Sequence, residues 1–464
     1  MKTYFKIWFI FFLLVCLNEL SLAQSNVWIS GQLNDQQEGT IEIINDCFVI
    51  FPFTIIASID VEKSGNFHFK FNITKPQVIQ LFNKTFYITP GDSVFANVIG
   101  SRFKTKEIEF KGRNANPYIY AMKYDSLKRS LRFKCYEYDF KNGLSNYLYC
   151  LNVNKTILLN YLNDFSDIHI LTDKFKTYAL SQIVYEYYNQ LLYPFVNKNF
   201  PVGQIPSAYT SILDRIKLTD DSLADKREYV FTAMNLLIYK KLKYNGNELQ
   251  LINDNSTGLT KDLLLTNYAN SLIFSYTSKD SLVTKELFKK INMGVINPEF
   301  RNYFNPLKEQ LNKYLTPFPK EVLLTALIDS IGHKLSFSDL LRKSKNKFIV
   351  IDFWASWCGP CKVGMPKVDK LKKIFSNADV EFVFISLDET ENDWRDGMKN
   401  TNIPGSHYWI DDNFKSALAK YLIVHSIPRY VIINKIGTIE KFNAFDPEPG
   451  DYGLQSQLSK LLSY

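Results

Sequence analysis

Two cysteines set between an apolar run and a helical pattern constrain this chain more than any other feature: Trp357-Cys358-Gly359-Pro360-Cys361. Upstream, Phe348-Ile349-Val350-Ile351-Asp352-Phe353 reads as a buried strand carrying one carboxylate. Downstream, Val363, Val368, Leu371, Ile374 and Phe375 approximate one face of a helix, which Pro366 is expected to kink. A strand that turns into a helix at Cys358 puts that sulfur at a helix N-terminus, where backbone N–H groups and the helix dipole favour the thiolate. Thiolates are the nucleophiles of disulfide exchange, and Cys361 is near enough to close an intramolecular disulfide and release an attacked partner. Val380 to Leu387 reads as a second buried strand and Tyr430 to Asn434 as a third, with Ile427-Pro428 ahead of it. The same cysteine spacing also serves zinc half-sites and structural disulfides. Zinc would need two further ligands. The C-terminal region offers only His333, His407 and His425 and no second C-x-x-C, so the pair is read as redox-active and no metal is expected.

The run Ile351-Asp352-Phe353-Trp354-Ala355-Ser356-Trp357-Cys358-Gly359-Pro360-Cys361-Lys362 resembles the active-site strand, turn and helix start of the thioredoxin family. Pro366 falls where that family kinks its active-site helix. Ile427-Pro428 looks like its cis-proline loop, and Asn434 to Ile439 like the hairpin that follows. The insertion between the second strand and Pro428, with Trp394 and the helix-like Asn413 to Tyr421, is similar to the TlpA/ResA-like branch of exported thiol–disulfide oxidoreductases. The resemblance covers roughly the last third of the chain. It implies that Cys358 attacks, that Cys361 resolves, and that the two form the redox disulfide. It implies further that Asp352 carries a proton, and that Trp357, Gly359, Pro360, Ile427 and Pro428 meet the substrate. A desolvated carboxylate on an apolar strand suits that role, its pKa raised by burial; an Asp352 pointing to solvent at a strand end is the other reading. Two departures stand out. Gly359-Pro360 is the thioredoxin choice, leaning toward a reductant, where the TlpA/ResA-like branch often differs. The second strand, Val383-Phe384-Ile385-Ser386-Leu387, carries no lysine to partner the carboxylate. Lys362 either adds positive charge near the thiolate or is merely solvated.

Lys2 and Lys6, the apolar stretch Ile7 to Leu17 and the small-residue site Ser21-Leu22-Ala23 read as a secretory signal peptide over 1–23. The run is shorter than the about 20 residues of a spanning helix, and no later stretch serves as a transmembrane anchor. Leu13-Leu14-Val15-Cys16 is a poor lipoprotein motif, so a lipid-anchored form is the lesser expectation. Export to the periplasm or cell envelope leaves disulfides stable. Cys47, Cys135 and Cys150 remain beyond the leader and the redox pair; three cannot all pair within the chain, and buried free cysteine is the default reading of each. The net charge of +8 is dispersed, without the clustered basic and aromatic residues that nucleic-acid binding needs.

The chain is expected to be multidomain. A β-rich module spans 24–112, where Phe67-His68-Phe69-Lys70-Phe71 alternates like a half-buried strand, and Ser64-Gly65-Asn66 and Thr89-Pro90-Gly91-Asp92-Ser93 supply turns. The pattern suggests a small β-sandwich and resembles the N-terminal module ahead of thioredoxin-like domains in many exported Bacteroidetes proteins. The segment 113–315 reads as mostly helical, with Leu180, Ile183, Val184 and Tyr187, then Val230, Met234, Leu237 and Leu242, at helical spacing. Pro194, Pro201, Pro206 and Pro298 punctuate it, and Asn253 to Gly258 reads as a loop. Tyr185, Tyr187 and Tyr188 either line a groove or simply pack. After a linker at Leu315 to Pro319 comes the thioredoxin-like domain, 320–464, an α/β fold whose central mixed sheet is flanked by helices; Leu323 to Ser338 resembles its hairpin-like lead-in. The expected function is reduction or exchange of disulfides in envelope proteins, with protein thiols and disulfides as partners, no cofactor, and a membrane electron donor if the protein works as a reductase. The alternative is an envelope binding or scaffold protein whose thioredoxin-like domain mainly docks partners.

Overall fold

Strict alternation builds the first layer. In a computed structural model that describes residues 26–34, 39–45, 55–100, 105–137, 143–197, 205–401, 405–448 and 453–463, the strands are β1 (Asn26–Leu33), β2 (Gly39–Asn45), β3 (Ile55–Val61), β4 (Asn66–Asn72), β5 (Gln77–Leu81), β6 (Lys84–Ile88), β7 (Ser93–Gly100) and β8 (Thr105–Arg113). The leader at 1–23, Cys47 and Pro201 lie outside the described residues. Along β4, Phe67 and Phe69 turn inward while His68 and Lys70 face solvent. Two four-stranded sheets result, ordered β4-β1-β7-β8 and β3-β2-β5-β6, and Ile29, Phe69 and Val94 of one share a core with Ile43, Ile79 and Phe86 of the other. The turn at Thr89 to Ser93 is more than punctuation. Asp92 is buried and accepts from the Thr89 N–H (2.9 Å), the Thr89 hydroxyl (2.5 Å), Asn114 Nδ2 (2.9 Å) and the Tyr118 hydroxyl (2.8 Å). Its carboxylate thereby ties the sandwich to the first helix.

That helix, α1 (Asn116–Glu137), leads into α2 (Leu144–Ile168), α3 (Asp173–Asn197), α4 (Ser207–Leu213), α5 (Arg227–Tyr244), α6 (Glu248–Asn255) and α7 (Gly258–Ser275). Val78 and Tyr87 of the second sheet pack with Tyr120, Phe165, Phe175 and Ile183, so the sheet and the first helices share apolar contacts. The helical phases differ in detail from the sequence reading. Ile183, Tyr187, Val230 and Leu237 are buried, but Leu180 and Leu242 are exposed. The expected loop at Asn253 to Gly258 shrinks to Ser256-Thr257, because Asn255 Nδ2 caps the Leu251 carbonyl (2.8 Å) and extends α6. Cys135 and Cys150 are not free thiols: a disulfide (S–S 2.09 Å) joins α1 to α2. Tyr185, Tyr187 and Tyr188 pack, with the Tyr187 hydroxyl on Asn152 Oδ1 (2.8 Å) and the Tyr185 ring edge-on to Tyr229. A cavity of about 610 Å³ is lined instead by Tyr87, Tyr120, Tyr124 and Tyr178, with Lys84 and Glu228.

By proximity of Cα atoms the chain divides into two compact units, Met1–Asn267 and Tyr268–Tyr464. Within the second, α8 (Ser281–Gly294), α9 (Pro298–Leu315) and α10 (Lys320–Leu323) precede β9 (Ala326–Asp329), β10 (Lys334–Ser336), α11 (Phe337–Lys343), β11 (Phe348–Trp354), α12 (Gly359–Ile374), β12 (Val380–Ser386), α13 (Glu391–Thr401), β13 (Ser406–Ile410), α14 (Ala417–Tyr421), β14 (Arg429–Ile433), β15 (Ile439–Lys441) and α15 (Leu454–Leu462). The seven strands form one mixed sheet, β10-β9-β13-β12-β11-β14-β15, in which β11, β12 and β13 run parallel. Every residue of β11 is buried, as a near-continuous apolar run in the middle of a doubly covered sheet should be. Tyr276 stacks on Tyr314 (4.2 Å), Tyr314 meets Phe442 edge-on (4.8 Å), and the Ser278 N–H donates to buried Glu440 (3.1 Å), so the residues from 268 onward grip the sheet's edge strand. Among the described residues no helix is long and apolar enough to cross a membrane.

Candidate active site

The site is a strand end, a turn and a helix start. Beyond β11 the turn Ala355-Ser356-Trp357 is held from below by Asp388, a buried acid that the sequence reading did not single out. Its carboxylate accepts from the Ser356 N–H (2.9 and 3.0 Å), the Ser356 hydroxyl (2.7 Å) and the Ser386 hydroxyl (2.7 Å), while its backbone carbonyl takes the Trp409 indole N–H (2.9 Å). The only signal for it in the chain is a carboxylate just past a buried strand. Asp388→Ala would strand the buried Ser386 hydroxyl and the half-buried N–H and hydroxyl of Ser356, and a buried donor costs about 1–3 kcal/mol when unpaired. A loss of about 3–5 kcal/mol in denaturant unfolding is therefore expected; a loss within about 0.5 kcal/mol, the usual range for a surface site, would show that the turn does not depend on it.

Cys358 is the N-cap of α12, and its sulfur accepts the Cys361 backbone N–H at 3.2 Å. The two sulfurs are bonded (1.99 Å). Cys358 keeps 4% exposure and Cys361 none. The helix phase is set by Cys361, Met365, Val368 and Leu371, which face the sheet. Val363 and Ile374, expected on that face, are instead exposed; Val363 lies two residues past Cys361, about 200° around the helix. Pro366 sits inside the helix.

The neighbours of the cystine sort into rim and floor. Trp357 is 62% exposed, Gly359 and Pro360 are exposed, and a Cβ added at Gly359 would meet nothing within 4 Å. Ile427-Pro428 is a cis peptide, both residues are half-buried, and Ile427 packs on the cluster that contains Cys358 and Cys361. Lys362 is exposed. The floor holds Asp352. Val350 and Trp354 belong to the cluster under α12, so Asp352, midway between them, points to the same face rather than to solvent. It is 1% exposed, and neither carboxyl oxygen has a hydrogen-bond partner among the described residues. Burial pushes its pKa well above the usual carboxylate range. Across the sheet it faces Phe384 on β12 and Tyr430 on β14. Of the histidines, His333 is exposed beside Asp329, and His407 stacks on Phe384, the β12 neighbour of Asp352.

Residues 346–439 match the family described as thioredoxin-like. Thioredoxin of Bos taurus is 33% identical over 66 residues, which are 14% of this chain and 61% of that protein. Thioredoxin of Mycoplasma genitalium is 44% identical over 46 residues, 10% of this chain and 43% of that protein. The chain thus spans less than two thirds of the length of these curated relatives. Among solved structures, a thiol-disulfide oxidoreductase from Bacteroides fragilis superposes with a TM-score of 0.27 at 24% identity, covering 31% of this chain and 100% of that one. The thioredoxin domain of a thiol-disulfide oxidoreductase from Bacteroides vulgatus gives 0.26 at 18% identity, covering 31% and 99%. The C-terminal part of the chain carries a thioredoxin-like domain.

Proposed function

We propose that this protein is an exported thiol–disulfide oxidoreductase that reduces or exchanges disulfides in envelope proteins. One observation carries the reading: the Cys358 sulfur caps a 16-residue helix, bonded to Cys361 and above a buried, unpaired carboxylate. In the cycle, the Cys358 thiolate attacks a partner disulfide, forming one S–S bond while the partner's other sulfur leaves and takes a proton. Cys361 then gives its proton to Asp352 and attacks Cys358. The mixed disulfide breaks, the partner's second sulfur leaves and takes the proton held by Asp352, and the two electrons gained by the partner dithiol are those lost by Cys358 and Cys361 as their disulfide forms. Returning it to the dithiol needs a donor, dithiothreitol in a test tube and a membrane electron donor in the envelope. Trp357, Gly359, Pro360, Ile427 and Pro428 are the proposed docking rim. Export rests on the leader read at 1–23, and a periplasmic or envelope location follows from it. The TlpA/ResA-like assignment is supported by the sequence insertion that holds Trp394 and Asn413 to Tyr421.

Mixed-disulfide trapping tests the reading. Reduced Cys361→Ser protein mixed with insulin should give an adduct on a non-reducing gel that dithiothreitol releases, and Cys358→Ser should give none. Equal adducts from both variants, or none from either, would remove the assigned roles.

The cavity lined by Tyr87, Tyr120, Tyr124 and Tyr178 favours a second reading, in which the first unit holds an envelope ligand and the thioredoxin-like domain docks partners. Partner binding that survives loss of both Cys358 and Cys361 would support it.

A further inference from the structure

Resting on the redox reading above, we propose that Tyr430 is a positioning residue for Asp352: its hydroxyl donates to a bridging water that in turn donates to the ionised carboxylate, and so keeps Asp352 available to take the Cys361 proton. Three geometric facts converge. Tyr430 is the β14 residue directly opposite Asp352 in the antiparallel pair, and opposite residues put their side chains on the same face. Tyr430 packs in the same cluster as Cys358, Cys361 and Met365. Its hydroxyl reaches α12: a Cβ added at Gly364, one turn past Cys361, would lie 2.9 Å from it.

Both groups are also orphans. The Asp352 oxygens and the Tyr430 hydroxyl are buried without a hydrogen-bond partner. Buried polar groups are rarely left so, and each such group asks for an explanation. An acceptor-only carboxylate and a phenolic donor on opposed positions are complementary. The Trp354 indole N–H, on the same face of β11, is a second orphaned donor in this cluster. The remaining ionisable neighbours are few. The helix contributes Cys358 and Cys361, and His407 of β13 stacks on Phe384, the β12 residue opposite Asp352; α15 contributes only buried leucines. Asp446 and Glu448, after β15, act with Asp352 to hold the Tyr430 phenol protonated, which burial does first, so it stays a donor across the working pH range.

The test isolates the resolving step. Reduced protein reacts with 5,5′-dithiobis(2-nitrobenzoate) in two phases: attack by Cys358 releases one thionitrobenzoate, and resolution by Cys361 releases the second. Stopped-flow traces from pH 5 to 9 separate them. Tyr430→Phe is expected to leave the first phase unchanged and to move the pH midpoint of the second upward by about one unit, a roughly tenfold slowing on its low-pH side. Gly364→Ala, whose methyl would displace the hydroxyl, should move it in the same direction. In an Asp352→Asn background, Tyr430→Phe should change nothing further. Superimposable second-phase profiles for wild type and Tyr430→Phe would overturn the proposal while leaving the redox reading intact, as would equal slowing in the Asp352→Asn background. Absence of any second phase in the wild type would instead remove the redox reading, and this role with it.

Discussion

Cys358→Ala is expected to reduce the dithiothreitol-driven turbidity of insulin to the rate of dithiothreitol alone, the largest functional loss any single substitution here should give. The argument is one of access and charge. Cys358 is the residue with a sulfur at the helix mouth and a remaining sliver of exposure, while Cys361 is fully covered by the sheet side of the helix. The thiolate is the attacking species, and helix N-termini lower cysteine pKa values from about 8.5 into the range of about 3.5 to 7.5. The same asymmetry predicts alkylation kinetics. After reduction, iodoacetamide at pH 6 should label Cys358 about 10- to 100-fold faster than a free cysteine peptide, and Cys361 more slowly than that peptide. If both thiols reacted at the free-cysteine rate with no fast phase at low pH, the attacking role of Cys358 would be lost, whatever the fold.

What the chain discloses about itself follows from how local each constraint is. The strand, the turn and the capped helix around Cys358 are written in a dozen consecutive residues, and β14 with its hairpin is nearly as local, since Asn434 Oδ1 takes the Ile436 and Thr438 N–H groups within one turn. The features that escaped are long-range. Asp388 is a site residue only because β12 ends beside β11 and brings it under Ser356, 32 residues upstream. Apart from its place just past a buried strand, nothing in its own neighbourhood distinguishes it from a surface acid. Tyr430 reads as one more strand aromatic until its register with Asp352 is known. β13 was hidden inside what read as an insertion, because five residues between two helices carry too little periodicity. The phase of α12 was misjudged because Val363 and Ile374 are apolar, and an apolar residue on the surface is ordinary. The Cys135–Cys150 bond needs α1 and α2 to run side by side, which no spacing rule states.

Asp352→Asn should make the protein more stable and slower at once. A carboxylate at 1% exposure with no direct protein partner has lost most of its hydration, and poorly satisfied buried polar groups cost about 1–3 kcal/mol in proteins. The direction with pH follows from the raised pKa of the folded state. In the unfolded chain the group releases its proton near about 3.9. Between that pH and its higher folded value, the folded protein binds the extra proton, so stability falls as pH rises through the window and the penalty is absent below it. Asparagine does not titrate. The variant should therefore match wild type near pH 4 and exceed it increasingly toward pH 8, where a gain of about 1–3 kcal/mol is expected in denaturant unfolding of the oxidised protein. Each kcal/mol corresponds to about 2–4 °C in Tm for a unit of this size. The cost appears in the resolving step. Without a base beneath Cys361, release of the second thionitrobenzoate should slow about 100-fold near neutral pH, the lower end of what general bases contribute, while the first phase persists. A variant no more stable at pH 8 than at pH 4, relative to wild type, would mean that hydrogen bonding to the carboxylate fully offsets its burial. An unchanged second phase would mean that Cys361 loses its proton by another route.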